Sequence, residues 1–90
     1  MEVKVRLPLV LARIIGTKEL NVRVGEGASV RDVLSAALNG EAFKRVVDGG
    51  RVAPGMLILL NERDVRVLKG LDTEVRDGDV ITILGVVHGG

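Results

Sequence analysis

Apolar and polar residues alternate with a period of two in the first part of the chain, which predicts β-strands. Five apolar residues share one face over residues 3–11, and Pro8 within that run predicts a bend or an unpaired edge. The alternation returns over residues 20–24, after a turn at residues 16–18. Two strands joined by a short loop predict an antiparallel hairpin.

The apolar spacing changes to a helical period over residues 29–38. Ser29 is suited to cap the helix, and Asp32 places a negative charge near its positive N-terminal end. Gly40 is predicted to end this helix, and a second short helical piece is predicted over residues 41–47. The apolar residues that share one stripe of the first helix are Val30, Val33, Leu34, Ala37 and Leu38.

The second half of the chain contains two strongly apolar runs, at residues 56–60 and 80–84, which predict strands. A short strand is predicted at residues 65–68, and residues 70–74 are predicted to be irregular or a single helical turn. Asp77-Gly78-Asp79 predicts the turn into the last strand. The predicted order of elements is therefore β-β-α-β-β-β.

This order predicts an α+β domain of the β-grasp, or ubiquitin-like, class: a mixed sheet with one main helix packed across it. The first and last strands of that fold pair in parallel at the sheet centre, which agrees with the apolar last strand. A small ferredoxin-like fold is the alternative, but it requires a second full helix late in the chain. We expect a β-grasp domain over residues 1–84 and a flexible Gly-Gly tail over residues 85–90.

The runs at residues 56–60 and 80–84 are apolar on both faces, whereas a sheet covered on one side needs only one apolar face. One phase directs Ile58, Leu60, Ile81 and Ile83 toward the helix. The residues then directed outward are Leu57, Leu59, Thr82 and Leu84. We expect these four to form a partner-docking patch at the root of the tail, the alternative being that a loop or the tail covers them.

Composition narrows the classes of function. The chain has 90 residues, of which 47% are hydrophobic, and its 13 basic and 12 acidic residues are interleaved. Phe43 is the only aromatic residue, so a basic groove with stacking rings for nucleic acid is not expected. The absence of cysteine excludes disulfides and thiolate metal sites. No apolar run approaches the roughly 20 residues of a membrane span, and no secretory signal is recognisable, so we expect a cytoplasmic protein without membrane association.

Side-chain catalysis is poorly served by this sequence. His88 is the only histidine, and neither a phosphate-binding loop nor a full EF-hand loop is present. We therefore expect no metal site and no bound cofactor. The remaining candidate reactive group is the carboxyl of Gly90, because Gly89 and Gly90 lack side chains and can enter a narrow channel in a partner. A frayed terminus is the alternative interpretation.

Several segments resemble the ubiquitin-like sulfur carriers of the MoaD/ThiS type and the small archaeal modifier proteins that share their fold. They are residues 11–16, residues 27–34, the apolar strand closing at Asn61, and residues 75–83 followed by the terminal Gly-Gly. The resemblance spans nearly the whole chain. Its most specific part is the Asp-Gly-Asp turn at this distance from Gly-Gly.

The resemblance implies a carrier rather than an enzyme. An ATP-dependent activating enzyme would adenylate Gly90, so that ATP is used by the partner and is not bound here. The product would be a thiocarboxylate, with Val87, His88 and Gly89 threading the partner. The implied role is sulfur donation in molybdopterin or tungstopterin biosynthesis, with the large subunit of molybdopterin synthase as acceptor. The alternatives are a modifier conjugated to lysines of target proteins, and an interaction domain whose tail is never activated.

One segment departs from the molybdopterin-synthase pattern. Small subunits of that enzyme commonly carry an aromatic residue and two prolines before their last residues, where this chain has Leu84-Gly85-Val86. Proline stiffens a tail, whereas glycine and valine leave it looser. The departure bears on the molybdopterin role more than on the carrier chemistry.

Overall fold

The structure is a computed structural model that describes residues 1–86. The strands are β1 (Glu2–Arg6), β2 (Glu19–Arg23), β3 (Val47–Asp48), β4 (Arg51–Val52), β5 (Met56–Leu60), β6 (Arg63–Asp64) and β7 (Val80–Gly85). The helices are α1 (Leu9–Ile15), α2 (Val30–Ala37) and α3 (Gly40–Val46), with 3₁₀ turns at Val65–Val67 and Gly70–Asp72.

Five strands form one mixed sheet in the order β2-β1-β7-β5-β6, and β3 pairs with β4 in a separate hairpin. β1 and β7 are parallel, with Val5 opposite Ile81, while the other pairs in the main sheet are antiparallel. α2 packs against β1 and β2 on one face of the sheet. The predicted β-grasp fold, with parallel first and last strands at the centre, is confirmed.

The core lies between α2 and the covered face of the sheet. Val33 and Leu34 of α2 and Val3 and Val5 of β1 are fully buried. Full burial of a side chain of this size contributes roughly 1.5–3 kcal/mol. The core therefore holds the helix to the central strands, and it fixes which residues of each strand face away from the helix.

The predicted extension of the first strand to residue 11 is wrong, because β1 ends at Arg6 and α1 follows. Pro8 takes the position before α1 with an extended φ of −69°, which suits the start of a helix, and Gly16 ends α1 with a left-handed φ of 96°. Leu11 and Ala12 are buried at helical spacing. The antiparallel pairing of the first two strands is confirmed, but a helix connects them.

Two further boundaries differ from the sequence prediction. α2 ends at Ala37, and Gly40 begins α3 instead of ending the preceding helix. The predicted strand at residues 65–68 is a 3₁₀ turn, because the Asp64 carboxylate accepts the Arg66 N–H at 2.9 Å and caps that turn. The single helical turn predicted within residues 70–74 is confirmed.

The Asp-Gly-Asp turn ties the start of β7 to the start of β1. Gly78 takes a φ of 85°, a conformation that favours glycine. The N–H of Glu2 donates to Oδ1 of Asp77 at 2.8 Å, and the N–H of Lys4 donates to the Asp79 carbonyl at 3.0 Å. The turn residues therefore set the register of the central parallel pair.

The predicted N-cap of α2 is confirmed as a capping box. The Asp32 N–H donates to Oγ of Ser29 at 3.1 Å, and the Ser29 N–H donates to Oδ2 of Asp32 at 2.9 Å. Ser29→Ala should lower the free energy of unfolding by about 1 kcal/mol, because the cap hydroxyl is lost. Urea denaturation measures this change. Ser35→Ala, at an exposed serine within the same helix, is the matched control and should be neutral or slightly stabilising.

The capping box also predicts a pH dependence. Hydrogen bonds from the backbone and then the side chain of Ser29 lower the pKa of Asp32 below its usual value. A carboxyl whose pKa is lower in the folded state stabilises the fold above its unfolded pKa of about 3.9, and this contribution is lost as the pH falls through the folded pKa. The stability difference between wild type and Asp32→Ala should therefore shrink below about pH 4. A difference that is constant with pH would contradict this role of the carboxylate.

Candidate functional site: an exposed apolar face beside the C-terminal segment

The pairing of β5 with β7 brings the four predicted patch residues together. Leu57 lies opposite Leu84, and Leu59 lies opposite Thr82, while the alternate residues of both strands are buried beneath the helices. The predicted phase of the two strands therefore agrees with the structure. We call these four residues the outer apolar patch.

The outer apolar patch covers only half of the open sheet face. The neighbouring strand β1 places Arg6 opposite Thr82. Arg6 Nε lies 3.2 Å from Oε2 of Glu19, and Lys4 Nζ lies 3.7 Å from Oε1 of the same carboxylate. Leu84 is 41% exposed, whereas the other three patch residues are half-buried. The open face is thus apolar over β5 and β7 and charged over β1 and β2.

A shallow depression of about 480 Å³ lies where the two halves of the face meet, and Arg6, Leu59 and Thr82 line part of it. Asn61 closes one side. Its Oδ1 accepts the Val80 N–H at 2.9 Å, and its Nδ2 donates to Asp79 at 2.8 Å. These bonds fix the start of β7 against the end of β5, so the floor of the depression is held by the backbone.

β7 continues through Gly85, one residue further than the sequence predicts. The N–H of Val86 donates to the carbonyl of Gly55 at 2.8 Å, so the last described residue is still bonded to the domain. The predicted tail residues that lie outside the described part of the chain are Val87, His88, Gly89 and Gly90.

The sequence reasoning missed a second exposed apolar surface, on α1. Leu9, Val10 and Ile14 are 61%, 44% and 58% exposed. Because β1 and β7 run parallel, the helix that follows β1 lies at the sheet edge where β7 ends. A helical reading of residues 9–15 separates these residues from the buried Leu11 and Ala12, and that spacing is the signal that could have found them.

The shifted carboxylates lie away from this face and serve local structure. The side chain and then the backbone of Arg66 donate hydrogen bonds that lower the pKa of Asp64, as Ser29 does for Asp32. Within residues 1–86, no three histidine, aspartate or glutamate side chains are grouped as metal ligands. The same part of the chain contains no helix with the length and hydropathy of a bilayer span.

Two relatives align with this chain over its full length and their own. One is small archaeal modifier protein 3 of Haloferax volcanii, 34% identical over 93 aligned positions. The other is a candidate sulfur carrier protein of Archaeoglobus fulgidus, 32% identical over 93 aligned positions.

Solved structures share the fold closely. The Amycolatopsis orientalis BexX/CysO complex contains a chain that matches with a TM-score of 0.84 and 31% identity, covering 98% of this chain and 99% of that one. A candidate molybdopterin converting factor subunit 1 from Pyrococcus furiosus matches with a TM-score of 0.75 and 30% identity, covering 97% and 99%. The Urm1 (ubiquitin related modifier) family model matches residues 12–90. The chain therefore belongs to the Urm1 family of ubiquitin-like carrier and modifier proteins.

Proposed function

We propose that this chain is a sulfur carrier whose reacting group is the carboxyl of Gly90. The carboxylate attacks the α-phosphate of ATP on a partner enzyme, and pyrophosphate leaves. A sulfur nucleophile then displaces AMP from the acyl adenylate, which leaves a thiocarboxylate on Gly90. The observation that carries the proposal is the family match, which runs through residue 90 and includes a full-length relative described as a candidate sulfur carrier.

The geometry of the described residues supports a carrier that works inside a partner. Val86 is bonded to the domain, and four residues follow it. At about 3.3–3.6 Å per residue these reach roughly 14 Å, enough to enter an active site set back from a docked surface. The outer apolar patch lies at the root of this segment. The partner supplies the electrostatic stabilisation of the phosphates, so no catalytic side chain is required of this chain.

The specific pathway we propose is molybdopterin or tungstopterin biosynthesis, with this chain as the small subunit of molybdopterin synthase. The Pyrococcus furiosus neighbour supports this assignment. The large synthase subunit is then the second partner, after the adenylating enzyme. The use of ATP places the reaction in the cytoplasm.

The second candidate function is a protein modifier conjugated through Gly90 to lysines of target proteins. The Urm1 family model and the Haloferax volcanii modifier favour it. Both functions use the same terminus and the same adenylation step. They differ in the group that opens the acyl adenylate: sulfur alone for the carrier, and finally a lysine amine for the modifier.

The reacting group is tested by changing the terminus. Deleting Gly90, or adding one residue after it, should abolish ATP–pyrophosphate exchange with the adenylating enzyme encoded in the same genome. Gly90→Ala should reduce exchange by about 10-fold or more, because overpacking a tight site costs about 1–3 kcal/mol. Gly25→Ala changes an exposed glycine with open space around it, and it should leave exchange unchanged. Undiminished exchange after deletion of Gly90 would overturn the proposal.

The outer apolar patch is tested by Leu84→Asp. Burial of this side chain against the partner predicts a loss of about 2 kcal/mol, or roughly 30-fold in Kd, measured by titration calorimetry with the adenylating enzyme. The free energy of unfolding should change by less than about 1 kcal/mol, because the side chain is exposed. Val67→Asp, at an exposed valine outside the patch, is the control and should bind normally. Normal binding by Leu84→Asp would exclude the patch as the docking surface.

A further inference from the structure

A basic depression of about 400 Å³ lies apart from the outer apolar patch. Its walls come from β4, the first turn of α2 and the two 3₁₀ turns, and it shares no lining residue with the patch or with the depression on the open face. The side chains that matter to its chemistry are Arg31, Arg51, Arg66, Lys69, Val52 and Leu71.

The charge of this depression differs from that of the whole chain. The chain has 13 basic and 12 acidic residues, yet the lining contains four basic side chains and one acidic side chain, Asp72. A +1 protein therefore concentrates positive charge in one concave site. Such a site raises the local concentration of anions.

Two of the four basic side chains are held by carboxylates. Arg31 is paired with Asp72 and also donates to the Gly50 carbonyl at 3.4 Å. Arg66 is paired with Asp64, with Nη2 2.6 Å from Oδ2. Each guanidinium is oriented by its partner and retains further N–H groups, because arginine has five donors.

The other two basic side chains carry uncompensated charge. Arg51 and Lys69 are exposed, and neither forms a salt bridge within residues 1–86. The depression therefore presents two unneutralised cations beside two oriented guanidinium groups. Half-buried Val52 and buried Leu71 add apolar surface to the lining, which lowers the local dielectric and strengthens an ionic contact.

This arrangement matches a phosphate group in charge and in number of acceptors. A phosphate monoester carries about −1.5 to −2 charges at neutral pH and three acceptor oxygens. A single carboxylate would neutralise only one of the two free cations. The volume of the depression is within the range of small-ligand sites. The lining contains no aromatic side chain for stacking a nucleic-acid base.

We propose that the basic depression binds the phosphate group of a small phosphorylated ligand, with Arg51 and Lys69 as its principal contacts. The site does not depend on the proposed carrier function. Because it shares no residue with the outer apolar patch, ligand and partner protein can be bound at the same time.

The test is a ¹H–¹⁵N NMR titration of the full chain at constant ionic strength, with inorganic phosphate in one arm and ribose 5-phosphate in the other. Sodium chloride is the reference salt. We expect saturable shifts confined to amides near residues 50–52 and 66–72. Tighter binding of ribose 5-phosphate identifies an organic monoester as the ligand class, and equal binding identifies free phosphate.

The double variant Arg51→Gln, Lys69→Gln should weaken binding at least 10-fold. Arg23→Gln, Lys44→Gln is the matched control, because it removes two exposed cations elsewhere and should titrate like wild type. The wild-type spectrum of each variant before titration shows that the fold is retained. If the double variant does not fold, the single Lys69→Gln should still weaken binding at least threefold. Shifts spread over all surface cations, or a folded variant that titrates like wild type, would overturn the proposal.

Discussion

The parallel pairing of β1 with β7 is the contact on which the rest of the structure depends. It joins strands from the two ends of the described chain, with Val5 opposite Ile81, so closing the sheet carries the entropy cost of a long loop. Full burial of Val5 and Ile81 offsets that cost, and the bonds from Glu2 and Lys4 to the Asp-Gly-Asp turn fix the register. A slip of one residue would turn the apolar residues of both strands to the open face.

The same pairing determines where the functional surfaces lie. With β7 between β1 and β5, its outward residues stand between charged Arg6 on one side and apolar Leu57 and Leu59 on the other. It also brings the exposed face of α1 to the edge where β7 ends. Membership of the Urm1 family gives that edge its significance, since the proposed reacting group follows Val86 by four residues.

Much of the fold could be predicted because local patterns and global packing agree. Ser29 and Asp32 mark the start of α2, and the two-sided apolar character of residues 56–60 and 80–84 led to the correct phase of the patch. α1 was missed because Leu7, Leu9 and Leu11 happen to fit a period of two, while the helical spacing of the buried residues spans only seven positions. The basic depression leaves no local pattern, because its four cations come from separate segments that only the fold brings together. The tail prediction stays a prediction, since residues 87–90 lie outside the described chain.

Intact-mass spectrometry of the chain after incubation with the adenylating enzyme, ATP and a sulfur donor tests the central claim most directly. The account predicts a mass gain equal to the replacement of one oxygen by sulfur. Fragmentation should locate that gain at Gly90, and the chain should remain free of other proteins. Covalent attachment to lysines without a detectable thiocarboxylate would favour the modifier function. An unchanged mass with a demonstrably active enzyme would contradict both functions.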